Sequence, residues 1–297
     1  MVFESVDQKL PLVVIAGPTA SGKTALAIKL AQQFGGEIIC ADSRTIYKDM
    51  DIGTAKPSAE ERIGVPHWGL DIVAPGETFS AANFKRYAVA KITEIRARGK
   101  VPFLVGGTGL YIDAVVFDFE FGAQADQAIR RKFEAMTLPE LHTYCNKNNI
   151  ELPENIQNKR YVIRAIEQKS ISTSKNAAPI PHTLIVGIAT DKHTLRTRIE
   201  YRAEQIFTNG VVEEAKLLGE KYGWESEAMT GNIYPLVQQY LAGDITKAEL
   251  KAQNTIRDWR LAKRQLTWFR RNPHLLWATL EDAEHYLSQK LAPLAGM

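Results

Sequence analysis

Apolar positions along this chain follow two periods, and each change of period marks an element. From Leu10 to Ala16 the run LPLVVIA is short, β-branched and closed by Gly-Pro, which predicts a buried strand feeding a glycine-rich turn. Residues 23 to 34 return to helical spacing, and GEIICADS places a second strand at 37 to 41 with Asp42 and Ser43 at its C-terminal end. Strand, helix, strand opens a parallel sheet. Ser80 caps the helix AANFKRYAVAKITEIRARG, which Gly99 ends, and VPFLVGG at 101 to 107 is a further buried strand. HTLIVGIAT at 182 to 190 adds another, and a helix follows from Lys192 to Thr208. A long helix over 246 to 271 and a last strand LLWATL come near the end.

Between 118 and 160 the pattern changes to short polar helices, FGAQADQAIRRKFEAM and LPELHTYCNKN, with no buried strand between them. The fold expected is therefore α/β: a P-loop NTPase-like core of parallel sheet flanked by helices, residues 1–117 and 161–297, plus a small helical insertion, 118–160. The Ser/Pro-rich SISTSKNAAPIP, 170 to 181, reads as a mobile loop.

Composition narrows the function classes. A chain of 297 residues with 45% hydrophobic and 24% charged positions is ordinary globular material, which excludes disordered and fibrous classes. The net charge of +3 is too mild to mark a nucleic-acid binder, so any polyanion must be met by a local patch. Two cysteines, Cys40 and Cys145, lie far apart without metal-ligand spacing, which supports neither a disulfide framework nor a zinc site and fits a reducing compartment. With neither a signal-peptide pattern nor a run of ~18 apolar residues, the chain reads as soluble, cytoplasmic and without a membrane partner.

The clearest chemistry is Gly17-Pro18-Thr19-Ala20-Ser21-Gly22-Lys23-Thr24, which matches G-x-x-x-x-G-K-[ST] between a strand and a helix. Its glycines let successive N–H groups converge on one anion, and the helix N-terminus adds about half a positive charge. Lys23 brings a point charge, and Thr24 a hydroxyl for Mg2+ or a phosphate oxygen. The loop specifies phosphate without distinguishing a hydrolase, a kinase or an enzyme that expels diphosphate. Asp42 should emerge at the same sheet edge, where it either holds magnesium or acts as a base. Asp49, Asp51 and Lys56 follow it, and Gly53-Thr54 and Gly106-Gly107-Thr108-Gly109 offer further close backbone approaches.

Arg198 and Arg202 share one helix face, either snorkelling beside an apolar stripe or turned inward to a diphosphate. On the long helix, Arg257, Arg260, Arg264 and Arg271 fall within about 60° of one another, apart from the stripe Ile256, Trp259, Ala262, Leu266 and Phe269. Seven basic residues against the single acid Asp258 between Lys251 and Arg271 make a patch of +6, either a solvated face or a track for a nucleic-acid backbone.

GPTASGKTALA, ADSRTIYKDMDIGTAKP, PHWGLD, SAANF, VGGTGLYI, RYVIRAIE and LAKRQLTWFR resemble, in order and spacing, tRNA dimethylallyltransferases, also called tRNA isopentenyltransferases. The resemblance implies transfer of a dimethylallyl group from dimethylallyl diphosphate to N6 of the adenosine 3′ of the anticodon, with Mg2+ as cofactor and the anticodon stem-loop gripped by the insertion. It implies Asp42 as the base, and Lys23, Thr24 and Arg202 on the departing diphosphate. At the tRNA it places Asp42, Ser43, Arg44, Thr45, Thr108, Arg130, Arg160, Arg164, Arg257, Arg260 and Arg264. The chain is expected to act as a monomer.

The sequence departs from the family pattern at Ile233-Tyr234-Pro235, where Gly-Tyr-Lys or Gly-Tyr-Arg is usual, and at Asp258-Trp259, where Thr-Arg is. Thr45 stands for glutamine, Gln157-Asn158 for Asn-Asp, and PHWGLD for PHHLxD. Most departures fall on the RNA half. Three other readings stay open: an adenylate isopentenyltransferase, a P-loop kinase of a small metabolite, and a non-catalytic RNA-binding paralogue.

Overall fold

The computed structural model describes residues 10–121, 127–153, 155–167 and 175–294. Parts of two expectations, the start of the first insertion helix (122–126) and of the Ser/Pro-rich loop (170–174), lie outside them. Six strands form one wholly parallel sheet: β1 (Leu12–Ala16), β2 (Gly36–Cys40), β3 (His67–Trp68), β4 (Val101–Gly106), β5 (Thr183–Ile188) and β6 (Leu276–Ala278), in the order β3-β2-β4-β1-β5-β6. β1 is completely buried, as a strand covered on both faces must be, which is why its sequence is a continuous apolar run rather than an alternation. It lies between β4 and β5, so the turn that leaves its end enters the crevice at the strands' carboxyl edge, where open sheets of this class bind ligands.

Helix α1 (Lys23–Phe34) follows β1 directly. α2 (Ala81–Ala97) begins at Ser80, whose hydroxyl accepts from Asn83 N in a reciprocal capping box, and α3 (Gly109–Val116) follows β4. Beyond Phe117 a separate compact unit spans residues 118–177. It holds α4 (Gln127–Ala135), α5 (Leu138–Lys147) and α6 (Lys159–Glu167). Its boundary lies past the expected residue 160, because α6 buries Val162, Ile163 and Ile166 against Phe133, Leu141 and Cys145. Those residues belong to the insertion's own core, not to the sheet's.

The main unit resumes with β5 and then α7 (Lys192–Thr208), α8 (Val211–Tyr222), α9 (Tyr234–Ala242), α10 (Lys247–Phe269) and α11 (Leu280–Leu291). α11 was not anticipated; it packs Ala283, Leu287 and Leu291 into the same core as Leu26, Leu30 and Phe103. The buried line of α10 also differs from the expected stripe. It runs Leu250, Asn254, Asp258, Ala262, Gln265, Phe269, while Ile256 is 50% exposed. Three of those six are polar, so a search for apolar periodicity selects the wrong angle.

Candidate active site

The phosphate loop is held open by its own backbone. Ser21 N donates to Pro18 O (3.2 Å), and Gly22 takes φ 89° as it caps α1, a left-handed conformation open to glycine at no steric cost. Lys23 Nζ donates to Pro18 O at 3.2 Å. Burial drives the Lys23 ammonium down to about 8; Asp42 opposes that shift and Arg202 adds to it. All three side chains therefore act within one electrostatic neighbourhood. Arg198, not singled out for this role by the resemblance, donates from Nη1 to Ser21 O at 3.1 Å.

A residue that sequence reasoning missed braces the loop from behind. Gln265 Oε1 accepts from Thr19 N (2.8 Å), a buried bond across 246 positions. Its amide lies so close to Gly107 that a Cβ there would sit 2.4 Å from Nε2, so this strand-end turn needs glycine for close approach rather than for its φ. The motif LAKRQ was visible, but nothing in it says which face of α10 carries the glutamine.

Asp42 stands two residues beyond β2. Ala41 N donates to Val105 O (2.7 Å) and Thr108 N donates back to Ala41 O (3.1 Å), which fastens the ends of β2 and β4 together. Ser43 N donates to Thr108 Oγ1 at 3.0 Å. Arg44 N donates to Asp42 Oδ1 at 2.8 Å, orienting the carboxylate and leaving Oδ2 without a hydrogen bond among the described residues. Asp42, Ser43 and Thr108 are thus one constellation, partly open to solvent. Neighbouring Cys40 is an inert buried thiol, pushed up to about 12 by desolvation.

Arg202 Nη2 donates to Thr54 O at 3.1 Å, while its Nε is buried without a partner, an arginine donor ready for an anion. Lys56, in the segment that follows Asp42, is committed within the protein. Its nearly buried ammonium donates to Tyr47 O (2.9 Å) and pairs with Asp51 and with Asp71 (2.6 Å). Asp49 is likewise tied to Lys221 at 3.1 Å.

The tRNA-directed residues divide sharply. Arg260 and Arg264 are exposed, with no hydrogen bond or ion pair among the described residues. Arg257 is half-buried and donates from Nη1 to Asn232 O (3.2 Å); Asn232 Nδ2 in turn donates to buried Asp258 (2.8 Å). That latch accounts for Asp258, one of the departures. Of the departures at this turn, Ile233 is buried and Pro235 half-buried at the start of α9, and the Tyr234 between them, which the family pattern shares, donates its hydroxyl to Glu214 at 3.0 Å. Arg44 clamps the Ala228–Thr230 turn, donating to Glu227 O (3.0 Å) and Thr230 Oγ1 (3.2 Å). Thr45 is 7% exposed, and its buried hydroxyl has no hydrogen-bond partner. In the insertion, Arg160 is exposed, Arg130 pairs with Glu134 (3.0 Å) and Arg164 with Glu167 (3.3 Å).

Comparison with known proteins settles the family. A family model described as IPP transferase matches residues 45–272. The chain belongs to the IPP transferase family. Within it, the tRNA dimethylallyltransferase of Halalkalibacterium halodurans is 38% identical over 292 residues, 93% of each chain, and that of Roseiflexus is 41% identical over 96% of this chain and 97% of its own. The crystal structure of the full-length tRNA isopentenylpyrophosphate transferase from Bacillus halodurans superposes with a TM-score of 0.74 at 35% identity, covering 97% of this chain and 99% of that one. A eukaryotic dimethylallyltransferase, solved in snapshots acting on tRNA, shares the fold at a TM-score of 0.75 and 24% identity, over 91% of this chain and 74% of that one. The P-loop-type sheet expected from sequence is therefore the fold of this family.

Proposed function

We propose that this IPP transferase moves a dimethylallyl group from dimethylallyl diphosphate to N6 of the adenosine 3′ of the anticodon in tRNA. The observation that carries this reading is the pairing of a phosphate loop with an oriented carboxylate, Asp42, inside the field of Lys23. Alkylation of an amine calls for such a base; a kinase places a carboxylate on its acceptor hydroxyl as well, and what favours prenyl transfer between the two is the likeness to tRNA dimethylallyltransferases over nearly the whole chain.

The chemistry divides between the two halves. The allylic C–O bond breaks and its electron pair leaves with diphosphate, whose growing charge meets the loop amides, Lys23 and the Nε donor of Arg202. The N6 lone pair forms the new N–C bond, and an N6 proton passes to Asp42. Holding the weakly nucleophilic amine against the allylic carbon supplies much of the rate, and the base must leave the anticodon-loop stack to reach it.

Magnesium fits the loop in a limited way. Among the described residues no cluster of three or more His, Cys, Asp or Glu side chains forms a protein cage, but Mg2+ is commonly bound by substrate phosphates plus one or two protein oxygens. The Thr24 hydroxyl, in the first turn of α1, is the side chain that would hold it. When bound there, the ion would neutralise diphosphate charge.

The two free, buried thiols fit a reducing compartment such as the cytoplasm. No helix among the described residues is long and apolar enough to cross a membrane.

The reading is tested with labelled dimethylallyl diphosphate and magnesium, offering unmodified tRNA and AMP in parallel. Label entering tRNA at the adenosine 3′ of the anticodon is the expected result. Label entering AMP instead would move the assignment to a free-nucleotide prenyltransferase. Label in neither, with ATP turnover in the presence of a small acceptor, would move it to a kinase.

A further inference from the structure

The second half of the longest stretch of family resemblance, DMDIGTAKP, has so far received no chemical role, and the structure supplies one at its centre. Residues 51 to 53 wrap around the carboxylate of Glu214, on the first turn of α8. Glu214 Oε2 accepts from Asp51 N (2.8 Å) and Ile52 N (2.7 Å), and Oε1 from Gly53 N (2.8 Å) and the Tyr234 hydroxyl (3.0 Å). Four donors on one carboxylate is a full complement, and each bond is charge-assisted. The next residue, Thr54, turns its carbonyl to the guanidinium of Arg202. Its own hydroxyl donates back to Met50 O at 2.6 Å, which closes the turn. Gly53 admits no side chain, since a Cβ would lie 2.6 Å from the Tyr234 hydroxyl.

We propose that Glu214 is a positioning residue for Arg202: by fixing three consecutive amides it sets the Thr54 carbonyl, which holds the guanidinium where its free Nε can meet the diphosphate. This rests on the reading above, in which Arg202 takes charge from the departing group. Glu214 touches no substrate. Its effect runs through one loop of four residues and one carbonyl hydrogen bond, so it should vanish when Arg202 is absent.

The test is a double-mutant cycle on binding of inorganic diphosphate, measured by calorimetry on the full chain. Glu214→Gln sets an amide NH2 against N–H or O–H donors and should weaken diphosphate by about 10- to 100-fold. Arg202→Met should weaken it at least as much, and the double variant should bind no worse than Arg202→Met alone. In turnover, Glu214→Gln should raise KM for dimethylallyl diphosphate while tRNA affinity stays at the wild-type value, a split that general loosening of the fold would not give. Tyr234→Phe removes one of the four bonds without changing shape. Its smaller loss, about two- to fivefold, should also disappear in the Arg202→Met background, which decides the matter if Glu214→Gln fails to fold. Additive losses in either cycle, or unaltered diphosphate binding in both Glu214→Gln and Tyr234→Phe, would overturn the proposal. Because this readout uses diphosphate alone, it is separate from the wild-type transfer assay, whose failure would instead remove the prenyl-transfer reading.

Discussion

At the phosphate loop the donors are main-chain amides, held by a left-handed glycine, a turn bond within the loop and a buried glutamine from α10. On the outer side of that same α10 the donors are long side chains standing in solvent, Arg260 and Arg264. Both regions suit anions, and they differ in how much ordering a ligand must still impose. The loop is preorganised, so an anion there is met by dipoles that need no rearrangement at the moment of reaction. The exposed arginines must surrender rotamer freedom, about 2 kcal/mol each at most, so they suit a polyanion met at several points and contribute little singly. One region is built for chemistry and the other for attachment.

The comparison is broken most severely by removing the base beside the loop lysine. Asp42→Asn keeps the shape and the bond from Arg44 N, and removes the proton acceptor. Single-turnover transfer should fall by about 10²- to 10⁴-fold, with little change in diphosphate binding. A rate near wild type would take Asp42 out of the reaction.

The next effect comes from the lysine of the loop. With its ammonium lowered to about 8 by burial, Lys23 is charged in the free protein below that pH and increasingly neutral above it, while bound diphosphate favours the charged form. Affinity for inorganic diphosphate should therefore hold from pH 7 to 8 and fall by up to about tenfold per pH unit beyond. Proton uptake on binding should rise towards one over the same range, as read in buffers of different ionisation enthalpy. The stability of the free protein moves the other way. Between pH 8 and the ordinary lysine value of 10.5 the unfolded chain binds the extra proton, so the Lys23 contribution to stability rises with pH. Binding without proton uptake above pH 8 would show that Lys23 is not the titrating group.

How much of this could be read in the sequence follows the same division. β1, the glycine turn and α1 were legible because their information is local: an apolar run, fixed glycine spacing, then helical period. The strand-end position of Asp42 followed from that order. The partners of the arginines did not, because a guanidinium's choice between solvent and a carbonyl far along the chain is a tertiary event. Arg257 and Arg264 sit on one predicted stripe, yet only Arg257 reaches back to Asn232. Asp258 read as a departure from an RNA-contacting pattern, and its carboxylate turned out to serve Asn232 within the same latch. Gln265 and Glu214 were invisible for a related reason: their ligands are backbone amides, which leave no mark in side-chain spacing. The insertion boundary was misplaced because α6 has a strong amphipathic face, and periodicity alone cannot say which core that face joins.

A smaller effect should separate arginines that hold the protein from those that hold RNA. Arg44→Gln loses the clamp on the Ala228–Thr230 turn and should cost about 1 kcal/mol of stability, seen as a lower denaturant midpoint. If Arg44 served only tRNA, the midpoint would stay where it is and affinity would fall instead.

The finest distinction lies between two arginines on one helix. If Arg264 neutralises a phosphate, each contact releases about one condensed counterion, and Arg264→Gln should reduce the slope of log affinity against log salt by roughly 0.7 to 0.9. At moderate salt the loss of affinity itself should be only a few-fold, which is why the slope and not a single dissociation constant is the quantity to measure. Arg257→Gln should behave differently. Its guanidinium is engaged with Asn232 O, and burial together with the Arg260 charge disfavours its protonated form, so much of its interaction is already made within the protein. The slope should change by less than half as much as for Arg264→Gln, with a lower denaturant midpoint in its place. Equal slopes for the two variants would mean that the latch opens when RNA binds and that the whole arginine stripe, not its exposed members alone, tracks the backbone.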